Sequence, residues 1–408
     1  NDAKNQPVQQ SLTDAQKQVL ANAGNDPSKM VTPSAFADEF SANRIQYKKT
    51  LVGAEETFEY TTNENDEVYT VTFTNVGQNR GDYEVDKTIA IGTIYKYVGE
   101  NLGAFSPIVQ LIAPTKLQVA VVNSTYKPSE KTELSAELAF SDNDQNLFST
   151  IDDQENKRVA AKVGWQQQIT DNTWNISSKI NYKFIQNNFQ TVQRFQAVEF
   201  NRDWNLENRI GDQHELGARL TFDNKKNTTL AYEFQHLSFS NNFSGNKHVI
   251  QTNIKKEETN FWLHGSWLSN ATNSRNDNFY RIKSKAIRSF RKSWLGGLVN
   301  LESNSRKLTE TNNFDGLSHR FNEVEGFYGI GDSTKVFVKA GVNYRTNDSI
   351  KSNAFTQINN RKTFYVNSKL IQNKRTNLSV YANYRITNNR FQENEEALNS
   401  RIAYNQRF

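Results

Sequence analysis

The sequence predicts an all-β protein: an antiparallel up-and-down transmembrane β-barrel of about 14–16 strands, preceded by a small β-rich segment carrying a short helix. Three observations carry this prediction. The chain is polar, with 36% hydrophobic residues among 408 and a mean hydropathy of −0.77, yet aromatics reach 12%. Disordered chains are poor in aromatics, so disorder is a bad fit. From Leu117 onward, apolar and polar residues alternate with period two in successive runs, which is the signal of strands with one wet and one apolar face. Short turns then alternate with longer polar joins along the chain, the asymmetry of a transmembrane meander.

The first 113 residues read differently. "SLTDAQKQVLANAGND" predicts a helix capped at Thr13 and Asp14 and stopped by Gly24. Short strands follow in "DEVYTVTFTNV", "YEVDKTIAIGTIYKYV" and "SPIVQLIAP". Within them "VGQNRGDY" returns as "VGENLGAF", 22 residues later. Gly77, Gly81, Gly99 and Gly103 are placed as structural turn glycines, and Tyr83 and Phe105 as equivalent packing residues. Arg80-Gly81-Asp82 spells an adhesion tripeptide, but the second copy replaces it with Leu102-Gly103-Ala104. A repeated turn is the more economical reading. Residues 1–113 are therefore read as a separate segment, which would act as a plug or a docking surface for the barrel that follows.

Residues 114–408 are read as the barrel. "TWNISSKINYKF" puts Trp174, Ile176, Ile180, Tyr182 and Phe184 on one face and Asn175, Lys179 and Lys183 on the other. "KVFVKAGVNYR" and "NLSVYANYR" alternate in the same way. The polar face is charged, which needs water or partners and so a lumen. Aromatics such as Trp165, Trp267 and Tyr384 fall near run ends, where interfacial belts lie. Closure would also remove the bare edges of an open sheet. Tight turns are expected at "DNKKNT", "KKEE", "FRKS" and "NKRT", and longer joins at "SNATNSRNDN" and "RTNDSIKSNAFTQINN".

Two candidate sites emerge. Asp142, Asp144 and Asn146 stand in D-x-D-x-N spacing, with Asp152 and Asp153 following in an acidic join, an oxygen-rich set suited to calcium. Leu147 occupies the place of the usual loop glycine, so a solvated acidic loop is the competing reading. Arg281, Lys283 and Lys285 form a cationic stripe on one strand face; it either steers anions or pairs with Glu323 and Glu325. No other cofactor is expected. The five histidines show no ligand spacing, and neither a nucleophile elbow nor a phosphate loop is present, so a non-enzymatic chain is expected.

The absence of cysteine removes disulfides and thiolate metal sites. A net charge of +5 with both signs mixed gives no nucleic-acid footprint. No apolar run is long enough for a transmembrane helix. The chain opens on Asn1 with no charged-then-apolar leader, and Gln406 and Arg407 sit poorly in a final strand, which leaves room for a longer parent chain.

The polar composition, the Asn-rich joins, the "SDNDQNLFSTIDDQEN" loop and the doubled Val-Gly unit resemble outer-membrane β-barrel proteins of the Bacteroidota. The resemblance implies a Gram-negative outer membrane, with the lipid bilayer as partner and residues 1–113 periplasmic or folded into the lumen, available to other envelope proteins. Terminal Phe408 is similar to the aromatic ending of bacterial barrels. Transport, or a non-enzymatic role in an envelope complex, is the function it implies. A secreted or surface β-repeat protein that binds glycans or acts as an adhesin is the alternative reading, and an outer-membrane enzyme is a third.

Overall fold

In the computed structural model, which describes residues 11–207, 210–240 and 242–407, nearly every element is a strand. The chain divides into two compact units, Asn1–Ala120 with Ser141–Arg158, and Val121–Phe140 with Val159–Phe408. Phe408 itself lies outside the described residues.

In the first unit the helix Asp14–Ala23 forms as its sequence dictates. Thr13 accepts the backbone N–H of Gln16, and the Gln16 side chain accepts that of Thr13, a reciprocal capping box. Leu20 and Ala23 then bury against Met30, Leu111 and Ala113. Two four-stranded sheets follow. One contains the hairpin Gln46–Val52/Glu55–Thr61, which the sequence reading passed over as a polar stretch because lysines and glutamates dress its exposed positions. The other contains the hairpin Tyr83–Ile89/Gly92–Tyr97. Tyr47, Phe73, Tyr83, Tyr95 and Phe105 make an aromatic core between them. Each sheet lends the other a phenol. Tyr47 Oη accepts the Tyr95 N–H at 3.0 Å, and Tyr83 Oη accepts the Phe58 N–H at 2.7 Å.

The doubled Val-Gly motif is a pair of turns locked to one another. Gly81 and Gly103 exchange both backbone hydrogen bonds, Tyr83 pairs with Phe105, and the N–H of Val98 and Asn101 go to Asp82. A Cβ on Gly81 or Gly103 would run into the backbone of Phe105 or Tyr83. Close approach of two backbones therefore requires glycine at these two places.

The second unit lies in one antiparallel meander of fifteen strands, running from Lys116–Ser129 to Glu395–Gln406, with every strand hydrogen-bonded to its sequence neighbours. This is the up-and-down architecture of a transmembrane β-barrel. Register confirms the alternation: Ile180 pairs with Ala218, Tyr182 with Leu216, Lys183 with Glu215 and Lys179 with Arg219. Apolar side chains occupy one face throughout, and Ile250, Ile282, Val338, Val342, Phe364 and Val366 stay 43–46% exposed there. On the other face, side chains two strands apart meet. Arg219 reaches Gln251, and Tyr365 reaches Glu325, which marks this face as concave.

Two of the joins expected to be long are strands instead. Residues 269–278 and 345–360 close on the two-residue turns 273–274 and 352–353. Asn, Ser and Thr there extend the hydrogen-bonded ladder past any apolar belt, where neither face needs hydrophobic residues. Conversely, the longest connection, 186–212, had no place in the sequence reading. Large rings on the concave face also need room. Phe327 pairs with Gly296 and Gly341, and Trp294 with Gly329, so each ring lies over a neighbour without a side chain.

Candidate functional site

The concave face of the second unit holds the charge predicted for it, arranged in pairs. Lys183 meets Glu215 at 2.5 Å and Arg219 meets Glu233 at 2.9 Å. Glu325 takes Lys339 at 3.1 Å and the Tyr365 hydroxyl; Glu323 takes Asn343 at 2.8 Å, Asn300 at 3.2 Å and Arg345 at 3.7 Å. Glu323 draws its partners from strands on both sides and Glu325 from the two strands that follow it, so both glutamates are engaged. The cationic stripe is left largely to itself. Lys283 lies opposite His264 and Asn300, and Lys285 opposite Trp262 and Leu298, with its ammonium 6.0 Å from the Phe327 ring centre. Both lysines are exposed and, among the described residues, neither has an ion-pair partner. Arg281, the third member, pairs with Asp203 at 2.8 Å.

Asp203 belongs to the connection 186–212, which folds over the concave face. Its helix, Phe200–Trp204, is five residues long and ends at Asn205 in a left-handed conformation. Trp204 and Leu206 enter an apolar cluster with Leu237, Phe239, Phe243, Leu268 and Phe279, inward residues of four successive strands. Lys247 stacks over the Trp204 ring at 4.4 Å. Polar clasps surround this plug. Asn270 donates to Trp204 O at 2.9 Å, and Asn205 donates to Asp277 at 2.7 Å. Glu207 accepts from Arg275 at 2.5 Å and also from Arg306, and Asp315 meets Arg306 at 2.9 Å. Hydrogen bonding from the Arg275 guanidinium holds the Glu207 carboxyl below its ordinary range.

Further along the same face, Glu302 accepts from Arg202 at 3.2 Å and pairs with His319 Nε2 at 3.0 Å, while His319 Nδ1 meets Leu317 O at 3.1 Å. His319 and Glu302 lie on neighbouring strands and are 17 residues apart, so no local spacing could announce them. Three other histidines take the opposite, apolar face. His214 bonds the Tyr182 hydroxyl and His248 the Tyr232 hydroxyl, both at 2.7 Å, and His236 bonds Asn246 at 2.8 Å.

The acidic join, where a calcium site is expected, belongs to the first unit. Among the described residues no three His, Cys, Asp or Glu side chains gather at ligand spacing. The polar groups of this join also make hydrogen bonds and an ion pair within the unit. Asn146, 1% exposed, donates to Leu20 O at 2.7 Å and Gly24 O at 2.6 Å, capping the helix C-terminus. Asp152 accepts from Asn25 N at 2.6 Å, Asp144 from Asn146 N at 3.0 Å and Asp153 from Asn156 at 3.2 Å, and Asp142 pairs with Lys116 at 3.4 Å. The segment is a latch for the helix.

No family model matches the chain, and no curated protein is similar to it. Two solved structures resemble it at low similarity, both of OmpT from Vibrio cholerae. A loop-deletion form described as an outer membrane protein matches with 10% identity and a TM-score of 0.32 over 70% of this chain and 90% of its own. OmpT expressed in the outer membrane matches with 7% identity and a TM-score of 0.30 over 68% and 88%. One expectation is corrected here. The expectation of a non-enzymatic chain does not stand, because the hydrogen-bonded imidazole–carboxylate pair of His319 and Glu302 is able in kind to move protons.

Proposed function

We propose that the protein is an integral outer-membrane β-barrel whose lumen admits anionic solutes past the infolded connection 186–212. One observation carries the reading. Lys283 and Lys285 stand exposed on the concave face without acid partners, while Glu323 and Glu325, the acids that would neutralise them, are taken by Arg345 and Lys339. Unpaired cations in a low-dielectric channel attract anions and repel cations. The connection 186–212 narrows the space available and places Arg202 and Asp203 beside that path. The outward apolar face supports the bilayer location, since an exposed apolar surface of this extent would not be tolerated in water. The Asn-rich joins remain the ground for a Bacteroidota origin.

The test is reconstitution in a planar bilayer under a potassium chloride gradient. The reversal potential should show chloride preference, and K283E/K285E should weaken or invert it. Cation preference in the parent chain, or no conductance at all, would overturn the transport reading.

A further inference from the structure

The seven connections on the short-turn side of the meander are 130–131, 172–174, 224–227, 257–258, 290–292, 332–336 and 373–375. Together they hold eight lysines and arginines against four acidic residues. On the opposite side, the six connections of the same unit hold four against seven. The basic residues are exposed and largely unneutralised: Lys226, Arg291, Lys292, Lys374 and Arg375 have no ion-pair partner among the described residues. Lys225 pairs with Asp171 and Lys335 with Asp332, both pairs exposed.

The outward apolar face runs directly up to these turns. Phe222 precedes the turn 224–227, Phe261 follows 257–258, Leu295 follows 290–292 and Ile330 precedes 332–336, each within three residues of the turn. Phe290, 47% exposed, lies within the cationic turn 290–292, and Trp174, 41% exposed, lies in the uncharged turn 172–174. The three net-basic turns, 224–227, 290–292 and 373–375, bordering an apolar belt are complementary to a lipid headgroup layer, with the acyl chains against the belt and the phosphates at the turns.

We infer that this rim selects anionic glycerophospholipids, through phosphate-bearing headgroups held by Arg291, Lys292, Lys374 and Arg375. The inference rests on the membrane reading proposed above. Short turns place the rim on the periplasmic side, where the leaflet is built of glycerophospholipids. The turns 224–227, 290–292 and 373–375 stand four strands apart along the sheet, a spacing that suits a diffuse anionic surface better than a single ligand.

The experiment uses the full chain folded into mixed phosphatidylcholine and phosphatidylglycerol vesicles, with one lipid or the other brominated to quench tryptophan. Trp165 and Trp174 report on the surrounding lipids. Brominated phosphatidylglycerol should quench as though enriched roughly three- to five-fold over the bulk mixture. That enrichment should vanish in about 1 M salt, where charges are screened within about 3 Å. It should also fall in the variant R291Q/K292Q/K374Q/R375Q, whose four sites are exposed turn positions. Equal quenching by the two lipids, or enrichment unchanged in the variant, would overturn the inference, and equal quenching would make an acidic protein the better counterpart for the rim. Quenching by neither lipid would instead remove the membrane reading and this inference with it.

Discussion

The two units place the same kind of strand in opposite environments. In the first unit Tyr47, Tyr83 and Ile94 are 1–2% exposed, and charged residues such as Lys49 and Glu56 face solvent. In the second unit Val342, Phe364 and Val366 remain 44% exposed, while Glu215, Glu233, Glu323 and Glu325 turn inward to find partners. Period-two alternation is common to both. What differs is which face is given to the inside, and that choice depends on the solvent surrounding the unit. The first unit satisfies its few buried polar atoms one by one, as with the exchanged tyrosine hydroxyls. The second carries a whole face of charges and neutralises most of them across strands.

Four substitutions or titrations break or sharpen this contrast. The largest effect is expected at Trp204, whose ring holds the infolded connection in its apolar cluster. Trp204→Ala should cost about 3–5 kcal/mol of local stability. Limited proteolysis should then cut within 186–212, and channel conductance should rise while the meander itself persists. An unchanged digestion pattern would show that the polar clasps alone hold the connection.

Val342→Arg comes next. On a lipid-facing strand it should cost about 2–4 kcal/mol, measured by urea titration of folding into vesicles. At a half-exposed site in water the same change would stay within about 0.5 kcal/mol, and that result would make the two units alike.

Burial pushes the Tyr47 phenol up to about 12, above its ordinary value near 10. The unfolded phenol ionises first, so the stability Tyr47 contributes is full below about pH 10 and is lost as pH rises toward about 12. The loss is about 2–3 kcal/mol for a shift of this size. Alkaline denaturation followed by tyrosinate absorbance should show the first unit melting in that window, and Tyr47→Phe should flatten the dependence.

The smallest effect is at Glu207, which is exposed and lowered by Arg275. Its contribution is present at neutral pH and declines as pH falls through its lowered range. Protease sensitivity of 186–212 should rise modestly in acid, and Glu207→Gln should remove the change.

Much of the architecture was legible in the residues. Alternation in 174–184 and 336–344 assigned each side chain to its face because one face meets an apolar surroundings and the other does not. The helix at Asp14–Ala23 announced itself through Thr13, Asp14 and Gly24. Where both faces are polar, as in 269–278 and 345–360, alternation falls silent and strands looked like loops. The plug was hidden for a different reason. Trp204 and Leu206 find their partners on strands that follow them in the chain, and no periodicity reports contacts of that range. In the acidic join the D-x-D-x-N spacing said nothing of another set of contacts: Asn146 and Asp152 bond Leu20, Gly24 and Asn25, more than a hundred residues away in the chain.

The central claim is that the exposed apolar face of the second unit meets lipid. Its most direct test is the migration of the full chain, folded in detergent or vesicles, on a gel run with and without boiling. A lipid-facing barrel predicts that the chain needs detergent or lipid to stay folded and that the unboiled form migrates apart from the boiled one. A chain that folds and stays monomeric in water, with one mobility under both conditions, would contradict the claim.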